Sequence, residues 1–261
     1  MADDLLVATD AGGIATITLN RPATSNAFDD HLVGALSDAI ARLGADAAVR
    51  AVLLTGAGAN FCAGADLGWM KRAASFSRAE NETDARRLGA MFRALDTLPK
   101  PTVVLVQGAA YAGGVGLVAA CDIAIAADNA TFSISETRLG LIPAVISPYV
   151  LAAIGARAAR RYFLTAERFD AAEALRIGLV HAVVPSAALV PSGTRIAETL
   201  CQNAPGAVAA AKRLIADIAP RARDDALVAD TARRIAEARA SAEGREGIAA
   251  FLEKRAPSWR K

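Results

Sequence analysis

Thr102 to Ala127, TVVLVQGAAYAGGVGLVAACDIAIAA, decides the architecture of this chain. Thr102 to Val106 is a short apolar run stopped by GlnGly, and Asp122 to Ala126 is a second such run. Between them a glycine-rich turn, Gln107 to Leu117, leads into Val115 to Cys121, which reads as a helix. Strands that are apolar on both faces and alternate with helices indicate an α/β core with its sheet covered on both sides. Upstream, Ala51 to Thr55 is a third run of the same kind, stopped by GlyAlaGly. Gly13 to Leu19 alternates like a strand and ends in a turn at Asn20 to Pro22.

The helical segments have their own signatures. From Phe28 onward Leu32, Leu36, Ile40 and Leu43 form one stripe, with two aspartates in the first turn and Gly44 after the last residue. Glu80 to Leu98 carries Leu88, Met91, Phe92 and Leu95 and is ended by Pro99 and Pro101. From about Pro205 the chain is rich in alanine and charge and shows no strand signal. The expected organisation is therefore a core over residues 1–200 followed by a helical region over 201–261 that serves assembly.

Composition narrows the function. The 261 residues are 54% hydrophobic and 21% charged, with 29 lysines and arginines against 27 aspartates and glutamates. A net charge of +2 is too balanced for nucleic-acid or membrane binding through the overall field. Pro101 to Cys121 and Leu139 to Ala156 are free of charge over nearly a membrane-crossing length, but glycines interrupt the first and Pro143 and Pro148 the second. The start, MADDLLVATD, is acidic where a secretion signal is basic, so a cytoplasmic protein is expected. Cys62, Cys121 and Cys201 are widely spaced and the only histidines are His31 and His181, which gives no basis for a metal site.

No serine or cysteine sits in a GxSxG-type elbow, and neither glycine-rich turn is a nucleotide-phosphate loop. Two turns nonetheless stand out: Asn60 to Leu67 (NFCAGADL) and Gln107 to Leu117 (QGAAYAGGVGL), each after an apolar strand. Either alone would serve tight packing. Together they offer two backbone N–H groups from separate loops, one at a helix N-terminus, which is the composition of an oxyanion hole suited to an enolate.

With these turns, LeuAsnArgProAlaThrSerAsnAlaPhe, CysAspIleAlaIleAlaAla, PheSerIleSerGluThrArgLeuGlyLeuIlePro and PheLeuGluLysArg occur in one order along nearly the whole chain. In this the sequence resembles the enoyl-CoA hydratase/isomerase (crotonase) family. AlaAlaTyrAlaGlyGlyValGlyLeu and IleProAlaValIleSerProTyrVal look like its bacterial methylglutaconyl-CoA or carboxygeranoyl-CoA hydratase branch, which serves leucine and acyclic terpene breakdown. The resemblance implies a crotonase-like (ClpP/crotonase) spiral of repeated β-β-α units, closed by a C-terminal helical region that builds trimers, often paired into hexamers. It also implies an acyl-CoA substrate, with coenzyme A carried by the substrate and no other cofactor, no metal, no nucleic acid and no membrane.

By motif, the thioester oxygen would lie on the amides of Ala65 and Gly113. Ala63, Gly64, Ala65, Asp66 and Leu67 would run along the adenine and pantetheine, and Phe251 and Lys254 would reach a CoA site, their own or a neighbour's. Lys71 and Arg72 are further candidates for CoA phosphates, although a solvated charge pair explains them as well. Relatives usually carry two glutamates; here the first position is Gly116 and the second is Glu136. Glu136 is expected to act as general base and acid, its pKa raised by apolar neighbours such as Phe132 and Leu141. A single carboxylate suits either hydration of a branched or carboxylated enoyl-CoA or a Δ3,Δ2-enoyl-CoA isomerisation, and a non-catalytic acyl-CoA-binding relative is the reading of another class. Ser135, Arg138, Ser147 and Tyr149 are candidates to hold a substrate carboxylate, each with a structural explanation available.

Overall fold

The apolar runs of the sequence become the strands of one mixed sheet in the computed structural model, which describes residues 3–260. The chain runs β1 (Leu5–Thr9), β2 (Ile14–Leu19), α1 (Asp30–Ala45), β3 (Ala51–Gly56), α2 (Leu67–Ala73), α3 (Arg78–Asp96), β4 (Thr102–Val106), β5 (Ala109–Tyr111) and α4 (Gly113–Ala120). It continues through β6 (Ile123–Ala127), β7 (Thr131–Ser133), α5 (Ser147–Thr165), β8 (Phe169–Asp170), α6 (Ala171–Arg176), β9 (Ala182–Val184) and α7 (Leu189–Cys201). Three helices follow: α8 (Pro205–Ile218), α9 (Asp225–Ala240) and α10 (Ala242–Leu252).

The large sheet has the order β1-β2-β3-β4-β6-β9, antiparallel only between β1 and β2. Its central strands are buried on both faces because successive residues feed two different cores. Val52, Leu54, Val104, Val106, Ala124 and Ala126 enter the core shared with α1, α3 and α4, while Leu53, Val103, Leu105, Ile125 and Ala127 enter the one under α7. Gly193 lets α7 lie close, since a Cβ there would meet Leu105 Cδ2 at 2.5 Å.

A second sheet, β5-β7-β8, carries the geometry that matters for the site. After β4 the chain turns at Gly108 into β5, and after β6 it turns at 128–130 into β7, which pairs parallel with β5. After β3, Cys62 bridges Ala110 of β5 in the same manner. Three successive passes thus place one segment in the large sheet and the next in the small one, with helices between passes, which is the expected β-β-α spiral. Gly108 is forced at its turn: its φ is +57°, and a Cβ would lie 2.1 Å from the Ala59 carbonyl oxygen.

The helical region after α7 fastens to the N-terminal ends of the strands. Lys212 of α8 binds Asp122 at 2.8 Å, and the same carboxylate oxygen accepts from the Thr102 amide and hydroxyl at the start of β4. Arg50, just before β3, donates to the carbonyls of Cys201, Asn203 and Trp259. The first glycine-rich turn is fastened from the opposite side by Asn26, fully buried at φ +56°. Its Nδ2 donates to the Ala57 and Asn60 carbonyls, and its Oδ1 accepts from the Arg21 amide. Asn26→Ala strips these bonds and puts an alanine in a left-handed conformation, so we expect a loss of about 2 to 4 kcal/mol, read by urea unfolding.

Candidate active site

The first arm of the site is built on a two-strand contact of single residues. Phe28 N donates to Gly64 O at 2.7 Å, and Asp66 N donates to Phe28 O at 2.7 Å, so Phe28 and Ala65 form a parallel bridge. In such a bridge the residue between the bonded neighbours turns its own N–H away from the partner. Ala65 is exposed, and among the described residues its amide has no acceptor. Gly64 reaches this path at φ +96°, packed on the Tyr111 carbonyl and the Ala112 methyl. Ala63 N donates to Ser25 O, and Asp66 caps α2 through the amides of Gly68 and Trp69. Leu67, 74% exposed, opens α2 beside this arm.

The second arm is the start of α4. Ala112 precedes it at φ 47°, ψ −113°, a conformation that costs an alanine about 1 to 3 kcal/mol and persists only when its surroundings enforce it. They do so through Ala112 N donating to Ser133 O at 2.8 Å and Gly116 N donating to Ala112 O at 3.1 Å. The Gly113 amide lies in the first helical turn, and among the described residues it too has no acceptor. Gly113 accepts no side chain, because a Cβ would sit 2.7 Å from the Phe28 ring, and a Cβ on Gly114 would sit 2.4 Å from the Cys62 carbonyl oxygen. Phe28 therefore touches both arms, Ala65 through its backbone and Gly113 through its ring.

Glu136 joins them by topology. Tyr111 pairs with Ser133 in the parallel β5/β7 ladder, so Gly113 and Glu136 leave the same edge of the small sheet, two and three residues further on. Glu136 opens a 3-10 turn, Glu136–Leu139, which Thr137 ties to the Phe163 carbonyl and Gly140 closes at φ +71°. Its Oε2 is buried without a hydrogen-bond partner among the described residues. Burial pushes its carboxyl above the usual range, against a smaller opposing effect of its own backbone amide. Leu141 is 56% exposed, and its amide donates to the Glu136 carbonyl at 3.1 Å. Phe132 is fully buried and stacks on Phe169, with ring centroids 5.5 Å apart.

At Gly116 the space for a second carboxylate is filled. A Cβ would meet Ile146 Cγ2 at 2.4 Å and the Phe92 ring at 2.9 Å. Tyr149 packs its ring on Phe92 at 5.9 Å, and Ser147 donates to the Ala144 carbonyl, so both have structural partners. Arg138 is exposed beside Glu136. Arg72 is paired with Asp30 at 2.5 Å, while Lys71 is exposed and has no ion pair among the described residues.

Phe251, 82% exposed, and Lys254, at φ +54°, are not brought to this edge within one chain. Their segment is tied by Trp259 to Gln202 and Arg50, beside the strand starts. His31 is exposed on α1 and His181 Nδ1 accepts from the Ala124 amide; burial pushes the Cys62 and Cys121 thiols up to about 12. Among the described residues no group of three histidine, cysteine or acidic side chains is placed to hold a metal, and no helix is long and apolar enough to cross a membrane.

The sequence pointed to Ala65, Gly113 and Glu136 as candidates but not to Phe28 and Ala112, which shape the two glycine-rich arms, nor to Phe92 and Ile146, which fill the space at Gly116. Phe28 carried a usable signal, an aromatic just before a helix cap, yet its contact with Gly113 is set only by the third dimension.

Residues 9–261 match the family described as enoyl-CoA hydratase/isomerase. A short-chain-enoyl-CoA hydratase of Clostridium acetobutylicum is 34% identical over 94% of this chain and 93% of its own. The crystal structure of an enoyl-CoA hydratase from Shewanella pealeana superposes with a TM-score of 0.96 at 41% identity, covering 98% of this chain and 96% of that one. AtuE of Pseudomonas aeruginosa gives 0.93 at 41% identity over 99% of this chain and 100% of that one. The chain belongs to the enoyl-CoA hydratase/isomerase family, an enzyme family with the crotonase fold.

A carboxyl raised above its unfolded value binds its proton more tightly in the folded state, so its contribution to stability is present below the ordinary value of 4.5 and is lost as pH rises through the folded value. Glu136→Gln, which cannot ionise, should melt higher than the wild type at neutral and alkaline pH. The difference should vanish as pH falls to the ordinary carboxyl range, and thermal melts across pH measure it.

Proposed function

We propose that the protein hydrates the 2,3 double bond of an enoyl-CoA, with Glu136 moving both protons and the amides of Ala65 and Gly113 holding the enolate oxygen. The observation that carries this reading is a buried Glu136 oxygen at the same end of the small sheet as the Gly113 N–H, neither with a hydrogen-bond partner among the described residues. The ionised carboxylate takes a proton from water as the water oxygen bonds to the β-carbon, and the displaced π electrons form an enolate on the thioester. The protonated Glu136 then gives that proton to the α-carbon, so one water is added and the carboxylate is restored. A carboxyl raised toward neutrality is suited to both halves of this exchange.

With Gly116 backed by Ile146 and Phe92, position 116 offers no second carboxylate. A substrate that brings its own carboxylate supplies what the site lacks, and this favours a branched, carboxylated acyl group of the methylglutaconyl type, as the sequence resemblance also does. The single carboxylate equally serves a Δ3,Δ2-isomerisation, which is the second reading. The same proposal has residues 201–261 assembling a trimer, or a hexamer of two trimers, around cores of residues 1–200. Because Phe251 and Lys254 lie away from their own site, their CoA contacts would be made in a neighbouring subunit's.

Mass spectrometry after incubation with crotonyl-CoA, 3-methylglutaconyl-CoA and a 3-enoyl-CoA separates the readings. We expect a gain of one water, largest for the glutaconyl substrate, and about a hundredfold or greater loss of turnover in Glu136→Gln with acyl-CoA binding retained. A double-bond shift without added mass would establish the isomerase, and binding without turnover the non-catalytic reading.

Gly116→Glu should not restore a two-carboxylate site. Its side chain must displace Ile146 or Phe92, so the expected result is a stability loss of about 1 to 3 kcal/mol and no gain in kcat, checked by thermal melts and steady-state assay.

A further inference from the structure

Arg21 lies in the turn after β2, and its side chain is only 16% exposed. Its backbone is immobilised by Asn26, which accepts from the Arg21 amide at 2.8 Å and donates its own amide to the Arg21 carbonyl at 2.9 Å. From this fixed base the guanidinium reaches three points. Nη1 donates to the Ala27 carbonyl at 2.7 Å and stands 3.0 Å from Asp29 Oδ2, while Nη2 donates to Asp66 Oδ2 at 3.2 Å. Asp4 lies further out, 3.7 Å from Nε.

The positions gripped are informative. Ala27 and Asp29 flank Phe28, and Asp66 follows Ala65, so the guanidinium spans both sides of the bridge that turns the Ala65 amide outward. Each carboxylate is divided between two tasks. The Oδ1 of Asp29 caps α1 at the Leu32 amide and the Oδ1 of Asp66 caps α2 at the Gly68 and Trp69 amides, while both Oδ2 atoms face Arg21. We propose that Arg21 is a positioning residue for the oxyanion hole, holding the Ala65 amide in place through Phe28 and Asp66. The proposal rests on the reading of the Ala65 and Gly113 amides as that hole.

Two properties of the cluster make this more than an anchor. Asp29 and Asp66 are 13% and 17% exposed and share one guanidinium, so without the arginine they are two nearby like charges with little access to solvent. Their repulsion would act on the helix starts on either side of the bridge and open it. A planar guanidinium can serve a carbonyl and two carboxylates in fixed directions, whereas a lysine ammonium is a single point charge. Lysine therefore relieves the repulsion but does not restore the directional grip.

The test uses Arg21→Gln, Arg21→Lys and, as a control for the hole itself, Ala65→Pro, which removes the amide proton without touching the two bridge bonds. Infrared spectra of bound butyryl-CoA labelled with carbon-13 at its carbonyl read the polarisation of the thioester, independent of which reaction the enzyme performs. Thermal midpoints, and kcat and KM with crotonyl-CoA, accompany them. We expect the carbonyl stretch to be lowered in the wild type and to return toward its value in water in both Ala65→Pro and Arg21→Gln. Arg21→Gln should lose about 10- to 100-fold in kcat with KM changed less than about threefold, and Arg21→Lys should fall between it and the wild type.

A folded Arg21→Gln with the wild-type carbonyl stretch and kcat, whatever its thermal midpoint, overturns the proposal and leaves the oxyanion reading standing on Ala65→Pro. If Arg21→Gln does not fold, Arg21→Lys is judged by the same two readouts. A wild-type spectrum without a shift, or an unchanged shift in Ala65→Pro, overturns the oxyanion reading and the positioning role with it.

Discussion

Everything at the candidate site depends on where Phe28 is held. Its two 2.7 Å backbone bonds fix the peptide before and after Ala65, and its ring leaves room only for hydrogen at Gly113. One residue between the first strands and α1 thus sets the separation and direction of two amides from different passes of the spiral. The arms also meet directly, through the Cys62–Ala110 bridge and the contact of Gly64 with Ala112. Small residues occur here because backbone lies against backbone, and the same closeness makes the strained conformation of Ala112 tolerable.

The large sheet was legible in the sequence because its central strands are short apolar runs with glycine stops. Ala51, Thr102 and Ile123 begin strands within a residue of where the hydrophobic pattern places them, and α1 and α3 follow their stripes. The small sheet was not legible: β5, β7 and β8 are 3, 3 and 2 residues long, below the length at which alternation can be read. β1 escaped for a different reason, as a half-exposed edge strand with little apolar contrast. Glu136 was visible only through motif, since three residues of strand and a turn separate it from any patterned element.

The site combines two electrostatic environments of opposite character. Around Arg21 the carboxylates are paired and bonded to amides; Asp66 is held below the usual range, chiefly by the Trp69 amide, with Arg21 adding to the effect. At Glu136 such partners are lacking among the described residues and burial raises the carboxyl. The ionised form is favoured at Asp66 by its bonds and disfavoured at Glu136 by burial.

The helices after α7 meet the rest of the chain only near the strand starts. Within one chain α8 and α9 bury none of their residues; Lys212 ties α8 to Asp122 and to the Lys100 carbonyl, Glu243 of α10 accepts from the amides of Gly206 and Ala207, and Arg234 of α9 pairs with Asp217 of α8. With so little apolar surface committed, these helices are expected at the low end of the range of local stability, their amides exchanging by opening apart from the core. The central strands and Phe28, buried in the core, belong at the opposite end of that range. The helices after α7 can therefore loosen without disturbing the geometry around Ala65 and Gly113.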